Sequence, residues 1–147
     1  MAQQDYILRI IEQLGAALIQ LRRAILGKGV EDSEVEHVLR RSAAGVGMDL
    51  ELARVASPDS LHAMIAPTGE VDPMRAWLMG ETLLTDALHQ RSRGRNREAR
   101  EALARARVLF SLVGKGAFLA GYPEAEERIV EIDGILTELI KAESRPS

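Results

Sequence analysis

The sequence predicts an all-α fold, a single helical domain of five to seven helices that includes one helical hairpin. Three observations carry this expectation. Apolar residues recur at three- and four-residue spacing through most of the 147 residues, the period of an amphipathic helix. Aromatic residues make up only 3% of the chain, while Ala, Leu, Ile, Arg and Glu abound, a mix that favours helix over strand. The stretch from Asp72 to Val113 reads as two amphipathic helices folded back on each other at Gly94. A chain of this length is one domain that buries roughly two thirds of its unfolded surface. We place that domain at 1–143, with an N-terminal helical part over 1–66, a hairpin-containing part over 72–143, and a disordered tail at 144–147.

The first helix is expected from Gln3 to Leu26. Tyr6, Ile7, Ile10, Ile11, Leu14, Ala17, Leu18, Leu21 and Ile25 form one apolar line. At about 100° per residue, Leu8, Gly15, Ile19 and Leu26 form a second line beside it. So wide an apolar arc predicts packing on two sides. Gly27-Lys28-Gly29 ends the helix, because glycine readily takes the left-handed cap conformation. A second helix over Ser33 to Ala44 turns Val35, Val38 and Leu39 inward. Two short helical pieces follow, from Asp49 to Ala56 and from Pro58 to Ala66. Ser57-Pro58 and Asp72-Pro73 each combine a capping side chain with a proline in the first helical turn. The second arm of the hairpin begins near Asn96 and runs at least to Val113, or on through Gly114 and Gly116 to Gly121. Pro123 starts the last helix, which is expected to bury Ile129, Ile132, Leu136, Leu139 and Ile140.

Composition narrows the functional classes. Cysteine is absent, which removes disulfides, thiolate zinc sites and cysteine nucleophiles and fits a reducing cytoplasm. No apolar run approaches the ~20 residues of a membrane span, and the start has no basic segment of the kind that opens a signal peptide. The net charge of −3 predicts solubility and no strong global pull toward nucleic acid or anionic lipid. His37, His62 and His89 are too far apart in sequence to form a metal-ligand pattern. Gly27-Lys28 and Gly114-Lys115 lack the rest of a phosphate loop, and Glu126-Glu127 sits where acids favour a helix start. The expectation is therefore no catalytic, cofactor-binding or metal-binding residues.

Arg91, Arg93, Arg95, Arg97, Arg100, Arg105 and Arg107 crowd one short stretch. One reading is a nucleic-acid patch, although no aromatic residues are interleaved for base stacking. The favoured reading is charge compensation by the acidic last helix, which carries Glu124, Glu126, Glu127, Glu131, Asp133, Glu138 and Glu143. Trp77 is read as core, with a groove-lining anchor as the sharper alternative.

From Leu83 to Phe110 the chain resembles one tetratricopeptide repeat. Ala87, Ala99 and Ala106 have that family's small-residue spacing, and Ala99-x3-Leu103 is similar to its Ala-x3-aromatic signature. Asp86, Gln90 and Ser111 depart from the pattern. The whole chain also resembles an uncharacterised family of short bacterial all-helical proteins, on the opening Gln4-Asp5-Tyr6-Ile7-Leu8-Arg9-Ile10-Ile11-Glu12-Gln13-Leu14 and on Gly69-Glu70-Val71-Asp72. That resemblance implies a fold and brings no activity with it. The functional expectation is a non-catalytic protein-interaction or scaffolding module whose partner is another protein or a second copy of the chain. Contact residues would be drawn from Leu8, Ile19, Leu26, Trp77, Arg93, Arg95 and Arg97. Leu8 and Ile19 are expected to be covered, either because the first helix is threaded centrally or because a second copy packs on it.

Overall fold

A computed structural model describes residues 2–114 and 122–144, with side chains from Tyr6 onward. Among the described residues the chain is all-helical, with seven helices. They are α1 (Ala2–Leu26), α2 (Asp32–Gly45), α3 (Leu50–Val55), α4 (Pro58–Ile65), α5 (Pro73–Ser92), α6 (Asn96–Ser111) and α7 (Ala125–Glu143). The capping chemistry sets several of these starts. Ser57 Oγ accepts from the Ser60 amide, and an Asp72 carboxylate oxygen accepts from the Met74 amide. Asp49 caps α3 in the same way through the Leu52 amide.

The central element is α5, whose residues from Ala76 to His89 are all buried. Helix α6 folds back antiparallel on it after a turn in which Gly94 takes φ +75°. Ala87, Ala99 and Ala106 are buried at this hairpin. The two backbones come close enough that a Cβ on Gly80 would stand 3.0 Å from the Phe110 ring. Helix α1 runs parallel to α5, with Gly15 against Trp77 and Arg22 against Glu81 and Thr85. Helix α2 runs antiparallel to both, bringing Ser42 to Thr82 and Asp32 to His89. The short α3 and α4 lie across the hairpin, and α7 packs antiparallel on α6.

Three expectations need correction. The centrally threaded helix is α5, and α1 lies at its side. Helix α1 does pack on two neighbours, α2 and α5, and buries Ile11, Leu18, Leu21 and Ile25. Its second line is covered only in part by the described residues: Gly15 lies against Trp77 and Ile19 is half-buried, but Leu8 is 37% and Leu26 65% exposed. In α7, Ile132 and Leu139 are buried, Ile129 and Leu136 partly so, but Ile140 is exposed. It falls at the edge of the buried stripe, two turns beyond Asp133 and on the same side of the helix. The second arm of the hairpin ends at Ser111, with Gly114 at φ +78°. Its expected continuation over 115–121 and the tail at 145–147 lie outside the described residues.

Candidate functional site

The chemically dense region is a polar stripe on the buried helix α5. Glu81, Thr82, Thr85, Asp86 and His89 follow one another at helical spacing, so at about 100° per residue they share one side of the helix. None of them is more than 3% exposed. A carboxylate buried without a counter-charge is costly enough to stay protonated instead. Here the neighbouring helices supply the counter-charges.

Glu81 is held between two guanidinium groups. Arg22 of α1 pairs with Oε2 and also donates to the Glu81 carbonyl at 2.9 Å and to Thr85 Oγ1 at 2.8 Å. Arg128 of α7 donates from Nε to Oε1 at 2.6 Å and from Nη1 to Glu131 at 2.8 Å. Burial pulls the Arg22 guanidinium below the ordinary arginine value, and Glu81 offsets only part of the fall. At Arg128 the same burial is outweighed by Glu81 and Glu131, and its value rises. Arginine stays charged in either case.

Asp86 is met by Arg54 of α3 in a fork, Nε to Oδ2 at 3.1 Å and Nη2 to Oδ1 at 3.0 Å. The same guanidinium reaches Glu36 of α2, and Arg40 links Glu36 to Glu51. Burial opposes the charge on Arg54, but its hydrogen bonds to Glu36 and Asp86 overcome it and raise its value. Conversely, Arg54 holds the Glu36 carboxyl below its ordinary value of 4.5. The third pair, His89 Nε2 with Asp32 Oδ1 at 2.6 Å, joins the ends of α5 and α2. Arg95, with His89, holds the Asp32 carboxyl below its usual 3.8. His89 is thus a buried partner of Asp32, whereas His37 and His62 are exposed.

The carboxylates and guanidinium groups satisfy one another in an internal lattice, and His89 Nδ1 is buried without a hydrogen-bond partner among the described residues. Glu81 and Asp86 already accept from guanidinium groups at both carboxylate oxygens. Among the described residues, no three His, Asp or Glu side chains converge closely enough to hold a metal ion. Sequence reasoning missed this stripe by treating carboxylates as surface groups. One signal was available: from Ala76 to Leu88 there is no lysine or arginine, and apart from Gly80, Glu81, Thr82, Thr85 and Asp86 every residue of that span is apolar. A helix apolar around most of its circumference is a buried one.

Six of the seven arginines of the stretch are engaged within the molecule. Arg107 pairs with Asp133 and Arg100 with Glu143, both on α7 as expected. Arg93 donates to the Val30 carbonyl, Arg95 pairs with Asp32, Arg97 with Glu101, and Arg105 donates to the Ala56 carbonyl. The compensation is therefore shared among α2, the turn before α4, α6 itself and α7. Trp77 is 1% exposed, edge-on to Tyr122 with ring centres 5.3 Å apart. It belongs to the core.

Of the other named contact residues, Leu8 and Leu26 are exposed. Tyr6 at 65% and Ile7 at 46% stand exposed beside Leu8 on the first turns of α1. They lead into a groove of about 330 Å³ between α1 and α2, lined by Ile10, Gln13, Leu14, Ala17, Val38 and Arg41. No described helix is long and apolar enough to cross a membrane. Comparison with protein-family models, curated proteins and solved structures gives no match to this chain.

Two outcomes follow from the buried stripe. Glu81→Ala strands two buried guanidinium groups and should cost about 3–5 kcal/mol, whereas replacing Glu81, Arg22 and Arg128 together by Leu, Met and Met should restore much of that loss. Urea unfolding of both variants checks this; a single variant as stable as wild type would contradict the pairing. The second outcome concerns acid. Glu36 has a folded-state value below its unfolded value, so its contribution is present above pH 4.5 and is lost as pH falls through the folded value. The urea midpoint should therefore fall on acidification below about pH 5, and less steeply in Glu36→Gln. Equal slopes for the two proteins would refute it.

Proposed function

We propose that this chain is a non-catalytic helical interaction module of the cytoplasm, and that the N-terminal half of α1 is its docking edge. The observation that carries the proposal is the exposed pair Tyr6 and Ile7, which projects its apolar surface and continues into the α1–α2 groove. The rest of α1 shows what such residues do when covered, since Ile11 and Leu18 are buried one and three turns further on. Contiguous exposed apolar surface on a small domain marks an interaction site. The internal pairing of Arg93, Arg95, Arg97, Arg100 and Arg107 supports a protein partner over a nucleic acid. Phosphate binding would have to compete with those carboxylates.

A second copy of the chain is the other reading. It is favoured by Leu8 and Leu26, which lie on the opposite edge of α1 from the groove and are also exposed. A symmetric contact at these residues would cover them without further helices.

The test is capture from the native host with wild type and with the Ile7→Glu/Leu14→Glu variant, alongside sedimentation of purified wild type and Leu8→Glu/Leu26→Glu. The reading expects either one protein recovered in stoichiometric amount by wild type and lost by the capture variant, or a wild-type dimer that Leu8→Glu/Leu26→Glu converts to a folded monomer. A monomeric wild type that retains no protein, or a partner retained equally by the capture variant, would sink it.

A further inference from the structure

We infer that the α1–α2 groove receives an amphipathic helix bearing acidic residues, supplied by a different protein. This inference rests on the docking reading above and names the chemistry of the occupant.

The shape of the site argues for a helix. From the adjacent Tyr6 and Ile7, a stripe of α1 continues at three- and four-residue spacing through Ile10, Leu14 and Ala17. That stripe is about 16 Å long, or three helical turns. Helix α2 forms the second wall with Val38 and Gly45, and it runs antiparallel to α1. The valley between two packed helices accepts the side-chain ridge of a third, and grooves of this kind take amphipathic helices through apolar anchors at i, i+3 or i+4, and i+7. Strand addition would need a free sheet edge, and the described residues contain no strand.

Charge argues for an acidic occupant. Arg41 is the one charged side chain lining the groove; the rest of the lining is apolar or neutral, with Gln13 at the rim and Ser42 at the floor. Arg41 is exposed and makes no ion pair among the described residues. Its neighbour Arg40 is committed to Glu36 and Glu51. No carboxylate lines the groove, so two copies apposed groove to groove would bring cation toward cation with nothing between them. An acidic side chain beside the apolar anchors would complete Arg41 instead.

Gly45 supplies a way to disturb the floor without touching the rim. A Cβ there would lie 2.3 Å from Leu14 Cδ1, so Gly45→Ala forces the flexible end of Leu14 out of its present position. Two synthetic helical peptides of about 15 residues serve as probes. They share leucines at i, i+3, i+7 and i+10 and differ in carrying Glu or Lys on the flanking positions. Binding is read by fluorescence anisotropy at low salt, with circular dichroism confirming that each variant is folded. The glutamate peptide should bind at least about tenfold more tightly than the lysine peptide. Arg41→Glu should invert that preference, and Gly45→Ala should weaken both peptides together. Equal binding of the two peptides, abolished by Ile7→Glu/Leu14→Glu, would overturn the acidic assignment while leaving the docking edge in place. An unchanged preference in Arg41→Glu would overturn it as well. Binding of neither peptide would overturn the inference, and the docking reading would fall with it only if the capture and sedimentation experiments also failed.

Discussion

Everything in this bundle is arranged around two carboxylates that one helix carries into the interior. Glu81 and Asp86 lie on α5 at 1% and 2% exposure, where an uncompensated charge would drive unfolding or protonation. The arginines that neutralise them come from α1, α3 and α7. A guanidinium suits this task because its planar fork meets both oxygens of a carboxylate and remains charged when desolvated. Each pairing also fixes where an outer helix can sit. Apolar contacts tolerate sliding by fractions of a turn, whereas Arg54 meets both oxygens of Asp86 in one register only. The lattice is thus as much a device for position as for stability, and a well-packed apolar replacement could be equally stable.

Close packing on the remaining sides of α5 follows from small residues. Gly15 lets Trp77 lie against α1, Gly80 lets Phe110 lie against α5, and Ala87, Ala99 and Ala106 close the hairpin. Side-chain hydroxyls extend the polar pairing. Thr82 and Thr85 each donate to the carbonyl one turn back, which leaves their oxygens free to accept from Ser42 and Arg22. With α5 sealed in this way, surface for a partner has to come from the outer helices, and α1 offers the most apolar stretch of it.

Helix boundaries were largely legible in the sequence because they are set locally. Gly94, the Ser57-Pro58 and Asp72-Pro73 caps and the glycines after α1 act through backbone geometry within a few residues. The burial of Ala99 and Ala106 was legible for a related reason, since a short helical connection forces antiparallel neighbours and small residues mark their contact. The identity of the central helix was not. Two lines of apolar residues made α1 look like the inner element, yet the polar positions of α5 are consumed by groups 32 to 63 positions away in sequence. Hydrophobic periodicity has no means of showing that a glutamate has found two arginines. The arginine stretch was half legible: the partners on α7 follow from complementary composition, but Asp32 and the Ala56 carbonyl depend on tertiary placement.

The central claim is that α5, although rich in polar residues, is the most deeply protected element of the molecule. Native-state hydrogen exchange tests it most directly, because amides that open only with global unfolding report the full stability. The account predicts that the slowest-exchanging amides fall between Ala76 and His89, and that those near Tyr6 and Ile7 exchange through local opening. Faster exchange across Glu81 to Asp86 than in α2 or α6 would contradict it.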